Sequence, residues 1–288
     1  VRFVINYGLG NVDHGVPIAR AAEAAGFTSL GVPDSFFYPK HSDSRYPYTP
    51  DGGRSFIEHQ AFLDPCVWIA TMAAATSRLR FYPSVYKLPA RHPLAVAKMF
   101  SSLAHVTGNR VALGVGLSPW REDFSYLGLD WESRGRRMDE CIEVVRGALT
   151  GEYFAHRGEF FQFGELRMKP VPAGPLKILV GGHSEPALKR AARVGDGWVS
   201  ANSTYEELAV LIPKLEKYRR EFGTADRPFE IHAFDVMLAD AVGVERLAAL
   251  GVTDAIAVPW NLLGPEVPLE EKVDGIARFG ANVISRFR

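Results

Sequence analysis

The feature that most constrains this chain is a rhythm: short apolar runs alternate with amphipathic stretches almost from end to end. Runs at residues 2–7, 28–32, 79–85, 110–117, 176–180, 197–201, 229–236 and 254–258 have the length and composition of strands buried on both faces. Helical patterns fill the intervals, at 13–25, 64–76, 92–107, 133–149, 184–194, 203–222, 242–250 and 268–279. Asp64-Pro65 and His92-Pro93 mark two helix starts, and Gly26, Gly108 and Gly151 mark three ends. Strict alternation of strands and helices implies a parallel sheet, whose pairs need such crossover connections. Eight such units predict an α/β fold, a closed (β/α)8 TIM barrel: a single domain over residues 1–288 with loop excursions. The competing arrangement is an open doubly wound sheet, and no GxGxxG follows the first strand to favour it.

Two segments break the rhythm. Residues 34–63 carry Phe36, Phe37, Tyr38, Tyr46, Tyr48 and Phe56 among prolines and charges. So many aromatics in one long connection predict an ordered wall or lid; the alternative is a flap packed on itself or on a second subunit. Residues 152–175 interleave Phe154, Phe160, Phe161 and Phe163 with polar residues and read as a hairpin outside the barrel.

The stretch from Leu176 to Trp198 carries the most chemistry. A strand runs into Gly181-Gly182, then into a helix with Ser184 placed to cap it, Pro186 in its first turn and Gly195 at a left-handed exit. Bare backbone N–H groups and a helix N-terminus suit a phosphate; a tight turn would use the same glycines. In a barrel the site lies at the C-terminal strand ends. Here those ends hold Asn6, Asp34, Ser84, Gly116, Gly181-Gly182, Ala201-Asn202, Asp235 and Pro259-Trp260.

Composition removes several function classes. Basic and acidic residues balance at 33 each with no basic block, so the electrostatic footprint of a nucleic-acid or membrane-surface binder is missing. No signal peptide or long apolar span is read in the sequence. Cys66 and Cys141 lie inside helical patterns without metal spacing, which predicts buried thiols, no metal site and a cytoplasmic location. The eight histidines are scattered. His59 and His183 fall near the expected mouth and read as structural or exposed residues, not proton carriers.

Several phrases, taken in order, carry a family resemblance. They are ARAAEAAGFTSLGVPDS at 19–35, TSRLRFYPSVYKLPARHPLAVAKMFSSLAHVTGNRVALGVGL at 76–117, SRGRRMDE at 133–140, FAHRGEFFQF at 154–163, and LVGG with AARVGDGW within 179–198. Together they resemble the luciferase-like monooxygenase superfamily over nearly the whole chain, most of all its coenzyme F420-dependent branch. The resemblance implies a barrel that binds F420, or alternatively FMN, at its C-terminal mouth. Ser84-Val85 matches the place of a non-prolyl cis peptide that bulges against the tricyclic ring, beside Gly116. Gly181, Gly182, His183 and Asn202 match the cofactor-phosphate region, and Asp34 matches the acidic residue after the second strand. Where the branch often has His after that aspartate, this chain has Ser35. Where the family often has Gly-Trp and later Glu-Phe, it has Ser118-Pro119 and Asp123-Phe124. No catalytic acid is assigned.

The first function implied is an F420-dependent oxidoreductase moving hydride to or from an organic small molecule. The second is an FMN-dependent monooxygenase supplied by a partner reductase, and the third a flavin-binding barrel without turnover. The resemblance also implies a homodimer.

Overall fold

The structure, a computed structural model, describes residues 1–49, 51–235, 240–260 and 266–287. Strand β1 (Arg2–Asn6) leads to helix α1 (Gly15–Ala25), β2 (Ser29–Val32), α2 (Pro65–Ala74), β3 (Arg80–Pro83), β4 (Tyr86–Lys87) and α3 (Pro93–Val106). Then come β5 (Leu113–Gly116), the single turn α4 (Glu122–Ser125), α5 (Arg134–Ala148), and the strands β6 (Phe154–Arg157) and β7 (Gln162–Leu166). The last third comprises β8 (Ile178–Gly181), α6 (Glu185–Val194), β9 (Gly197–Ser203), α7 (Tyr205–Glu221), β10 (Glu230–Asp235), α8 (Ala241–Ala249), β11 (Asp254–Ala257) and α9 (Leu269–Asn282). Val236, the expected end of the seventh strand, lies outside the described residues.

The parallel strands follow the order β3-β2-β1-β11-β10-β9-β8-β5-β4. Its two ends are one stave, interrupted at Ser84-Val85. β3 pairs with β2, β4 pairs with β5, and Phe81 closes the gap. The Phe81 N–H donates to Arg110 O at 2.8 Å and the Ala112 N–H donates to Phe81 O at 2.9 Å. Nine segments therefore make eight staves of a closed barrel, as the alternation predicts. Pro83, which has no N–H to give the ladder, is the last residue of the first half.

Side chains alternate across each stave, so one set fills the barrel and the other meets the helices. Val4, Tyr82, Ala112, Leu179, Val199, Phe234 and Ile256 form the inner cluster. A larger cluster, with Ile5, Leu30, Phe81, Phe100, Val145, Trp198 and Ile276, sits between barrel and helices. β6 and β7 pair antiparallel, apart from the barrel, as the interleaved aromatics of 152–175 predict.

The helix limits hold at Asp64, whose side chain accepts the Cys66 N–H, and at Thr204, which makes a full capping box with Glu207. Three expectations fail. Gly195 is extended (φ −81°, ψ 156°) instead of left-handed, because the chain passes straight from α6 into β9. Ser184 occupies the N-cap position of α6 but makes no capping hydrogen bond. Phe222, which its spacing from Leu208, Leu211 and Leu215 predicts on the buried face of α7, is 40% exposed at the C-cap, where the helix ends at Glu221.

The N-terminal end of the barrel is plugged by charge. Arg2 holds Asp254 through two bonds of 2.6 and 2.8 Å and reaches Glu230 at 3.0 Å, and Lys177 also pairs with Glu230. His232 joins Glu230 at 3.2 Å to the Tyr82 hydroxyl at 3.1 Å. Burial opposes the charge of Glu230, but hydrogen bonds from His232 and Lys177 and the nearby Arg2 outweigh it and hold its pKa well below the usual carboxylate range. Glu230, His232 and Asp254 bring metal-ligand atoms within 4.8 Å of one another. Arg2 and Lys177 already neutralise both carboxylates, so the cluster is a self-balanced plug at the end of the barrel away from the expected site.

Candidate functional site

At the opposite end, two of the strands, β5 and β8, end in Gly116 and Gly181. The Ser84-Val85 peptide is cis, as the resemblance implies. It sends Val85 inward, over the ends of β5 and β8. A Cβ on Gly116 would lie 2.4 Å from Val85 Cγ2, and one on Gly181 would lie 2.8 Å from Val85 Cγ1. Both glycines are therefore required by Val85 and not by open space. Ser84 itself donates its N–H to Val32 O at 2.6 Å. The floor of the mouth is one isopropyl group flanked by bare backbone, shaped to take a flat apolar face.

Two sets of side chains rise from this floor on the β2–β5 side. Asp34, its carboxylate 1% exposed, accepts two bonds from Arg91, at 2.7 and 2.8 Å, and the Lys87 N–H at 2.8 Å. Its oxygens are committed to fastening the segment after β2 to the segment after β4. The second set lies where the sequence departs from the family pattern, at Ser118 and Asp123. Ser118 accepts the Trp120 N–H at 2.9 Å and donates to Asp123 Oδ2. The same oxygen meets Lys87 Nζ at 2.5 Å, and both partners of this pair are buried. A lysine between Val85 and Leu88 in an otherwise apolar run is the one local signal of it, since buried lysines almost always have a charged partner.

On the β8–β9 side, Gly182 has φ +113° and its carbonyl accepts the Trp198 indole N–H at 2.8 Å. His183 Nε2 accepts the Ala201 N–H at 2.9 Å, so the neutral ring carries its proton on Nδ1. Burial lowers the His183 pKa against the pull of Glu207, which keeps the ring neutral. It fastens β8 to β9, the structural role expected of it. Asn202 is exposed on the rim, as is Ser184 at the start of α6.

The aromatic excursion spans these two sides. Tyr46 stacks on Trp120 at 5.6 Å, Phe37 stacks on Tyr126 at 5.6 Å, and Tyr48 meets the His183 ring edge-on at 5.1 Å. Ser44 donates to Glu122 at 3.1 Å and accepts the Arg121 N–H at 3.1 Å. Burial pushes the Tyr46 hydroxyl up to about 12, with Tyr48 adding to it. The described residues of the excursion form a wall across the mouth and pack on the loops after β5 and β8.

Among the described residues four buried side-chain polar atoms lack a hydrogen-bond partner: Asn6 Oδ1, Lys87 Nζ, Asp123 Oδ1 and Arg219 Nε. The first three belong to the mouth. Lys87 Nζ has only its ion pair with Asp123 Oδ2, and buried polar groups are normally satisfied, so hydrogen-bonding capacity left unfilled at the mouth marks where a polar ligand belongs.

Residues 5–245 match the luciferase-like monooxygenase family, and the chain belongs to it. It is 47% identical over 275 residues, 94% of each chain, to the uncharacterized protein Rv0940c of Mycobacterium tuberculosis. It is 29% identical over 265 residues to the F420-dependent glucose-6-phosphate dehydrogenase of Nakamurella multipartita, covering 88% of this chain and 72% of that one. It is 28% identical over 207 residues to the FMNH(2)-dependent dimethylsulfone monooxygenase of Pseudomonas fluorescens, covering 71% and 52%. The fold is that of the coenzyme F420 dependent tetrahydromethanopterin reductase from Methanopyrus kandleri, with TM-score 0.77 and 16% identity over 100% of this chain and 99% of that one.

Proposed function

We propose that the protein is an F420-dependent oxidoreductase that moves hydride between a deazaflavin and a small organic substrate at the barrel mouth. The observation that carries this reading is the unfilled hydrogen-bonding capacity of buried Asn6 Oδ1, Lys87 Nζ and Asp123 Oδ1 at the mouth whose floor is formed by Val85. A flat tricyclic ring with polar edges satisfies both features. Gly116 and Gly181 lie with Val85 beneath the ring. Gly182, His183, Ser184 and Asn202 bring the start of α6 and the rim of β9 to the phosphate, and Asp34 acts indirectly by holding the Lys87 backbone. The greater share of the chain matched by the F420-dependent dehydrogenase than by the FMNH(2)-dependent monooxygenase supports the deazaflavin.

When bound, the cofactor supplies the hydride chemistry. The protein's part is to seat the ring on Val85, shield it from water with the wall of Tyr46, Tyr48 and Trp120, and orient a substrate above it. A homodimer in the cytoplasm belongs to the same reading. Titration of the purified protein with F420 and, separately, with FMN, followed by fluorescence quenching, tests it. Saturable F420 binding that exceeds FMN binding is expected. Tight binding of FMN alone would favour the monooxygenase with its partner reductase. Binding of neither would overturn the cofactor site.

A further inference from the structure

Lys87 and Asp123 form a recognition device within the proposed site. Lys87 pairs across the ladder with Gly116, over which the Val85 methyls lie. Tyr86, between Val85 and Lys87, packs outward on Phe100 at 5.5 Å, so Lys87 returns to the barrel side one step above Val85. Ser118, two residues past Gly116, faces the same way and fixes Asp123 through Oδ2.

This leaves a matched pair of unused valences side by side: N–H donors on Lys87 Nζ and an acceptor on Asp123 Oδ1. The two charges cancel, so the device does not attract a phosphate or a carboxylate. It complements a neutral group that offers an acceptor next to a donor. We propose that Lys87 and Asp123 bind a cyclic imide edge, with the carbonyl oxygen accepting from Lys87 Nζ and the ring N–H donating to Asp123 Oδ1. The inference rests on the function proposed above, because flavin and deazaflavin rings share a pyrimidinedione end with such an edge. Ser118 is a positioning residue, and the Phe36 ring centroid lies 5.4 Å from Lys87 Nζ.

The test uses the wild-type protein, FMN and F420, and the derivative methylated at ring N3 of whichever cofactor binds. Methylation removes the donor and leaves Asp123 unpaired, so binding by fluorescence quenching is expected to weaken roughly 10- to 100-fold. In Asp123→Ala, which has no side-chain acceptor and leaves room for the methyl group, the methylated and unmethylated cofactors should bind nearly alike. Should that variant fail to fold, the wild-type protein with cofactor labelled at N3 with nitrogen-15 decides, since a bonded N3 proton gives an observable, slowly exchanging amide signal. Equal binding of both forms to the wild type, a methylation penalty that persists in Asp123→Ala, or a rapidly exchanging N3 proton would each overturn the imide subsite while leaving the cofactor site standing. Binding of neither cofactor would overturn both.

Discussion

The start of α6 offers the cleanest separation of a phosphate cradle from a mere turn. Gly182 is a poor place to probe it: at φ +113°, with an added Cβ 3.0 Å from Ala187 Cβ, any side chain is strained whatever its charge. Ser184 is better. It stands at the N-cap with φ −65° and ψ 153°, is exposed, and makes no capping bond that a substitution would remove. Aspartate is as good an N-cap as serine and complements the helix dipole, so Ser184→Asp should leave the melting temperature unchanged or slightly raised. Toward a phosphate its effect is repulsive. Two unit charges about 4 Å apart cost about 1 kcal/mol in water and about 4 kcal/mol at an effective dielectric near 20. An exposed rim lies between these limits, so affinity should fall roughly 5- to 1000-fold. Ser184→Ala controls for the hydroxyl. Quenching of F420 fluorescence gives the affinity, and a thermal melt gives the stability. If Ser184→Asp binds as tightly as wild type, the phosphate does not sit at α6.

Other substitutions test the frame that holds the site. Gly116→Ala puts a methyl 2.4 Å from Val85 Cγ2 and should cost about 1–3 kcal/mol by overpacking, read as a lower urea midpoint; an unchanged midpoint would mean that Val85 yields freely. Arg91→Met strands the buried Asp34 carboxylate and should destabilise by about 3–5 kcal/mol, with Asp34→Asn in the same chain recovering much of the loss. If the double variant is no more stable than the single one, Asp34 is not held in the way described. Glu230 has a folded pKa depressed below its unfolded value of 4.5, so its stabilisation is present above that value and is lost as pH falls through it toward the folded pKa. Glu230→Gln should therefore flatten the acid limb of a plot of stability against pH below about 4.5, and an unchanged acid limb would place the titration elsewhere.

The barrel was legible in the sequence because its determinants are local. Eight apolar runs, proline at helix starts and glycine at helix ends each act within a few residues, and Pro83 marks where one stave breaks. Phe222 and Gly195 show the limit of local patterns, since a helix end or a direct entry into a strand overrides spacing. In the site, the resemblance located Ser84-Val85 and the glycines, but not their partner: Gly116 and Gly181 are small for Val85. The Lys87–Asp123 pair was illegible for another reason. Its members are 36 positions apart, one on β4 and the other in α4, and only the fold makes their charges neighbours.

The most direct measurement is a crystal structure of the protein with oxidised F420. The deazaflavin ring is expected to rest on Val85 at the barrel mouth, with its phosphate beside Ser184 at the start of α6. A cofactor bound away from Val85, or a phosphate held by another loop with the α6 N-terminus facing solvent, would contradict that expectation.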